Sequence, residues 1–121
     1  MERNIPILKL GDVLLANVHV ELDDEVATSM QNEVLSAIER AGATGLIIDI
    51  TGLEIVDSYV ARVLAETGQM AKLMGTNTVV VGMRPEVAAT LTRMGYSMKG
   101  VRTALNLGEG LALLGHKLVR V

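Results

Sequence analysis

Two strand-like runs separated by a single dipeptide place the tightest constraint on how this chain can fold. Ile5 to Leu10 and Val13 to Val20 are rich in apolar and β-branched residues, and Gly11-Asp12 between them suits a tight reversal. Strands joined so closely must run antiparallel, because parallel neighbours need a crossover connection of a dozen or more residues. The chain therefore opens with a hairpin, and an all-parallel doubly wound sheet is disfavoured. In the second run Val18 and Val20 alternate with Asn17 and His19, the pattern of a strand with one buried and one wetter face.

Everything after the hairpin alternates helix and strand. Asp23 and Asp24 supply a cap and an N-terminal acid, and Val26, Met30, Val34 and Ile38 then recur at four-residue spacing until Gly42. Leu46, Ile47, Ile48 and Ile50 form a short apolar run suited to a central parallel strand covered on both faces, broken by Thr51 and Gly52. A second helix is expected from the Asp57-Ser58 pair to Gly75, with Val60, Leu64, Ala71 and Met74 on its inward stripe. Thr78 to Val81 predict another buried strand ended by Gly82. Pro85 and Glu86 fit the first turn of a third helix, with Val87, Leu91 and Met94 inward and Gly95 as its stop. Tyr96 to Arg102 carry no clear pattern. Thr103 to Leu107 complete the sheet, and Glu109 to Leu114 or somewhat beyond form the last helix. The expected class is α/β: a mixed sheet with an antiparallel opening hairpin and about four helices packed on it, in the order β-β-α-β-α-β-α-β-α.

Composition narrows the function. With 121 residues, half of them hydrophobic, the expectation is one domain over residues 1–121 with a real core. No apolar run approaches the roughly 18 residues of a membrane span, and MERNIPILKL lacks the apolar core of a signal peptide, so a cytoplasmic protein is expected. The absence of cysteine excludes disulfides, thiolate catalysis and cysteine-based zinc sites. A net charge of −3 without a basic cluster argues against nucleic acid, and the lack of Trp and Phe removes stacking platforms.

The stretch LIIDITGLEIVDSYVARVLAETGQMAKLM, from Leu46 to Met74, organises the rest. It places a hydroxyl, Ser58, at a helix start beside a sheet edge, where orphan N–H groups and the positive helix end can receive an added anion. The segment DITGLEIVDSYVARVL within it resembles the phosphorylation segment of STAS domains, the fold shared by anti-sigma-factor antagonists and the cytoplasmic ends of sulfate transporters. GMRPEVAATLTRMG and the closing NLGEGLALL also stand where that family has corresponding segments, so the resemblance covers nearly the whole chain. Among the branches of the family, the chain is most similar to the single-domain scaffold of the bacterial stressosome. The resemblance implies a STAS fold and a non-enzymatic scaffold and phospho-switch. It implies phosphorylation of Ser58 by a serine kinase of the anti-sigma-factor type, association with a sensor-bearing STAS paralogue, and self-association in a large assembly. Asp57 would help to shape the kinase-facing loop, the kinase would dock over Ile55, Val56 and Tyr59, and Arg62 on the same partner surface, one turn along from Ser58, would help to receive the added phosphate. No cofactor or metal is implied.

Other readings of the same residues stand beside these. Ser58 also serves as a plain N-cap type, and Asp57 as a second cap or a solvated acid. Asp49 and Asp57 make a carboxylate pair on paper, but no His stands near them in sequence to complete a hydrolytic site. His19 and His116 read as surface or boundary residues, and Gly108-Glu109-Gly110 as strand-to-helix punctuation. Val63, Met70 and Leu73 form an apolar stripe rotated away from the inward one, which suggests a partner surface. Two alternative functions remain: a STAS module that binds a small ligand, and a receiver-like domain phosphorylated on Asp49 or Asp57. A receiver opens with a strand and then its acidic pair. Here Asp23-Asp24 follow two strands, and Lys99 is followed by Gly100 instead of a proline.

Overall fold

The computed structural model describes residues 5–19, 21–93, 95 and 100–115. Val20, Met94, residues 96–99 and His116 lie outside them. Among the described residues five strands and four helices follow in the expected order: β1 (Ile7–Leu10), β2 (Val13–Asn17), α1 (Asp24–Ala41), β3 (Gly45–Asp49), α2 (Ser58–Leu73), β4 (Asn77–Val81), α3 (Pro85–Arg93), β5 (Arg102–Ala104) and α4 (Leu107–Leu113). The sheet runs β1-β2-β3-β4-β5 in space. β1 pairs antiparallel with β2, and the remaining neighbours are parallel. The strand containing Leu46 to Ile48 is thus central, as expected. A receiver-like doubly wound sheet, with its 2-1-3-4-5 order, is a different topology; the receiver alternative falls on the hairpin.

Alternation along the strands divides the core in two. Leu14, Ala16, Val18, Leu46, Ile48, Ile50 and Val80 face one side, where they pack with α1, α2 and α3 residues such as Met30, Val34, Leu64 and Leu91. Val13, Ile47, Val79 and Val81 face the other, where Leu111 of α4 covers them. α4 starts two residues earlier than expected and β5 ends earlier. Asn106 is the reason: its side chain accepts from the Glu109 amide (2.9 Å), while Glu109 reaches back to the Leu105 amide (3.1 Å). That reciprocal cap fixes the helix start before the chain can extend further as a strand.

The helix ends follow their chemistry. Asp23 caps α1 by accepting from Val26 N at 2.8 Å, and Gly42 closes it in the left-handed conformation (φ 61°). α2 departs from the sequence expectation in what it buries. Val63 is only 5% exposed, because α1 packs along that stripe: Gln31 Nε2 donates to the Val63 carbonyl (3.4 Å) and to Thr67 Oγ1 (3.1 Å). Met74, expected inward, is instead 42% exposed at the helix end. On another side of α2, Gly68 lets the segment Gly100-Val101 lie directly on the helix; a Cβ there would run into the Val101 side chain. α1 thus covers the Val63 part of the stripe that the apolar pattern marks as surplus, while Gly100-Val101 packs on a different face of the helix.

Candidate functional site

The segment between β3 and α2 is built at the carboxyl edge of the sheet, and its residues hold it in one shape. Asp49 ends β3 and accepts from both the Thr51 amide (2.9 Å) and the Thr51 hydroxyl (2.6 Å), folding the chain over on itself. The Leu53 amide then donates to the Ile50 carbonyl (2.9 Å), and Arg84 Nε donates to the Thr51 carbonyl (3.3 Å) from the start of α3. Gly82 (φ 80°) makes room for Thr51, since a Cβ would collide with its hydroxyl. Leu53 and Val56 are both buried and peg the loop into the core. Between them Glu54 and Ile55 point outward, and Ile55 is 72% exposed.

The helix start that follows separates two roles which the sequence leaves open. Asp57 is the N-cap: its Oδ1 accepts from the Val60 amide at 2.8 Å, and its carbonyl receives the first helical bond from Ala61. Ser58 is therefore the first helical residue, not the cap. Its side chain is exposed, and among the described residues the hydroxyl has no hydrogen-bond partner. Tyr59 is half-buried, and its hydroxyl meets Thr28 Oγ1 of α1 at 3.1 Å. Arg62, one turn beyond Ser58, lies with its guanidinium 5.3 Å from the Tyr59 ring centre and 3.8 Å from Glu66. It is the cation closest to Ser58 along the helix.

The expected site residues thus fall into two groups. Ile55, Asp57, Ser58, Tyr59 and Arg62 come together on the accessible edge. Val56 and Val63 do not: they are core residues, and the expectation that they face a partner is corrected by their burial, at 3% and 5% exposed. Met70 (43% exposed) and Leu73 (90%) do lie at the surface, further along α2. Asp49 is committed to Thr51 and Asp57 to the helix, so the two acids form no shared site. Among the described residues no group of His, Asp or Glu is arranged to hold a metal, and no helix is long and apolar enough to cross a membrane. The props beneath the loop are only partly legible in the sequence. The Asp-x-Thr spacing of Asp49 and Thr51 is a local turn signal that could have been read; the approach of Arg84 is long-range and could not.

Residues 4–110 match the family model described as STAS domain. Among curated proteins the chain is similar to the RsbT co-antagonist protein RsbRD of Bacillus subtilis (strain 168), with 30% identity over 118 residues, 97% of this chain and 42% of that protein. It spans between 33% and 42% of the length of the four RsbT co-antagonist proteins it matches. Among solved structures it is similar to Moorella thermoacetica RsbS in its S58E form, at 41% identity and a TM-score of 0.79, over 94% of this chain and 96% of that one. A chain from the molecular architecture of the stressosome, a signal integration and transduction hub, is 40% identical with a TM-score of 0.72, over 91% and 96% of the two chains.

Proposed function

The chain belongs to the STAS domain family, and from that membership we propose that it is a non-enzymatic scaffold and phospho-switch of a bacterial stress-signalling complex of the stressosome type. In this reading it acts in the cytoplasm, assembles with copies of itself and with sensor-bearing STAS paralogues, and is phosphorylated on Ser58 by a serine kinase of the anti-sigma-factor type. The observation that carries the reading is the division of labour at the start of α2. Because Asp57 does the capping, the Ser58 hydroxyl is left exposed on a rigid, pegged edge where a kinase can reach it. The likeness to RsbS and to a stressosome chain supports the choice of complex. That RsbS is described in an S58E form, a serine exchanged for an acid, is in keeping with a serine whose charge state matters.

The switch follows from electrostatics. A phosphate on Ser58 adds a charge of about −1.5 to −2 at neutral pH together with strong acceptor oxygens. The helix N-terminus, with Arg62 one turn along, favours it by roughly 0.3 to 1 kcal/mol, whereas Asp57 beside it repels it. These opposed terms leave the fold nearly unchanged. A kinase seated over Ile55 and Tyr59 meets a different balance, because it must desolvate the phosphate or supply a cation, and an unpaired interfacial charge costs several kcal/mol. Binding therefore weakens on phosphorylation. The test is the affinity of the cognate kinase for the unmodified, the phosphorylated and the Ser58→Ala protein. The reading expects tight, weak and tight binding respectively, and equal affinity for the first two overturns it.

A further inference from the structure

β1 is an edge strand, since the sheet order ends on it. The Asn17 amide donates to the Pro6 carbonyl (3.1 Å), so the backbone groups of Pro6, Leu8 and Leu10 face β2, and those of Ile7 and Lys9 face outward, unpaired by any strand among the described residues. Its side chains alternate as well. Ile7 packs toward the α1 side, and Lys9 shares that face. Leu8 and Leu10 lie on the α4 side, where α4 packs mainly on β3 to β5, and they stand 54% and 39% exposed. An open edge with apolar side chains is a template for strand addition. Beside it, Ile5 and Ile7 line a groove with Asn32, Glu33, Ser36 and Arg40 of α1.

We propose that this edge pairs with the same edge of a second copy, joining two sheets into one across a two-fold axis, with Ile7 opposite the partner's Lys9. The proposal rests on the reading above that the chain self-associates, and it assigns the surface. Three features make the edge self-complementary. In that register the outward N–H and C=O groups of Ile7 and Lys9 satisfy those of the partner's Lys9 and the partner's Ile7. Leu8 falls directly opposite the partner's Leu8 in a non-hydrogen-bonded pair, where side chains approach most closely, and Leu10 falls opposite the partner's Pro6. The charges also match. A lysine on an edge strand ordinarily discourages pairing, but here each Lys9 enters the other copy's groove at the level of Ile7. That groove holds Glu33, and Arg40 lies about 10.5 Å further along α1. Neither Lys9 nor Glu33 has an ion-pair partner among the described residues.

The chain contains no cysteine, so one introduced thiol reports one position. Under mild oxidation Leu8→Cys should form a covalent dimer at least about tenfold faster than Leu105→Cys, an exposed control on another strand end, because only the two-fold pair brings two copies of residue 8 within disulfide reach. Lys9→Glu should weaken dimerisation by about tenfold, and Lys9→Glu with Glu33→Lys should restore it. If the chain still self-associates while Leu8→Cys crosslinks no faster than the control, or while Lys9→Glu has no effect, the β1 interface is wrong and the assembly reading survives. A chain that is monomeric at every concentration, alone and with a STAS paralogue, overturns both.

Discussion

Val63 and Met70 sit seven residues apart on α2, and both are apolar, yet a glutamate at each should have opposite consequences. Val63 is 5% exposed beneath α1, with its own carbonyl engaged by Gln31 and Thr67. Replacing it removes about 2 kcal/mol of apolar burial. The new carboxylate has no cation in that contact, and leaving it buried or forcing it to protonate adds about 3 kcal/mol. A loss of about 5 kcal/mol is comparable with the whole stability of a domain this size, so Val63→Glu should be largely unfolded or expelled into aggregates. Met70 is 43% exposed, and Glu has nearly the helix propensity of Met, so Met70→Glu should change stability by less than about 1 kcal/mol. If the exposed stripe of Met70 and Leu73 contributes a partner surface, as its apolar exposure suggests, the effect of Met70→Glu should appear in self-association instead. Urea denaturation followed by circular dichroism, with sizing in parallel, separates the two outcomes. A Val63→Glu protein with the unfolding midpoint of the parent would refute the account of how α2 is buried.

Three further outcomes follow from the geometry at the loop. Asp57→Ala should lose the cap to Val60 and lower stability by about 0.5 to 2 kcal/mol, measured by the same denaturation, while Asp57→Asn should retain most of it. Gly82→Ala forces an L-residue to φ near 80° and drives its Cβ into Thr51, so it should cost at least about 1 to 2 kcal/mol and raise amide exchange across residues 51–57. Arg62→Ala should change stability by less than about 0.5 kcal/mol, because both members of its pair with Glu66 are more than half exposed; a larger loss would assign Arg62 a structural role that its contacts do not support.

The sequence carried much of this fold because its signals were local. Asp23 and Gly42 bracket α1 where an acid and a left-handed glycine belong, and the Gly11-Asp12 reversal dictates the antiparallel edge. The misplacements have a common cause. Apolar periodicity reports that a helix face is buried, but not by what, so Val63 read as surplus when α1 covers it, and Met74 read as core when the helix end leaves it half open. Val56 reads as a contact residue because the family resemblance places a kinase over Ile55, Val56 and Tyr59, whereas the turn at Asp49 to Leu53 carries it inward to 3% exposure. At the candidate site, Ser58 and Asp57 were both visible as capping types. Only the hydrogen bond to Val60 separates them, making one the cap and freeing the other.

The most direct test is to incubate the protein with its cognate serine kinase and ATP, map the modified residue by mass spectrometry, and repeat the reaction with Ser58→Ala. The account predicts one phosphate, stable to mild alkali, on Ser58, and none on the folded variant. Phosphate on another residue, or undiminished labelling of Ser58→Ala, would contradict it.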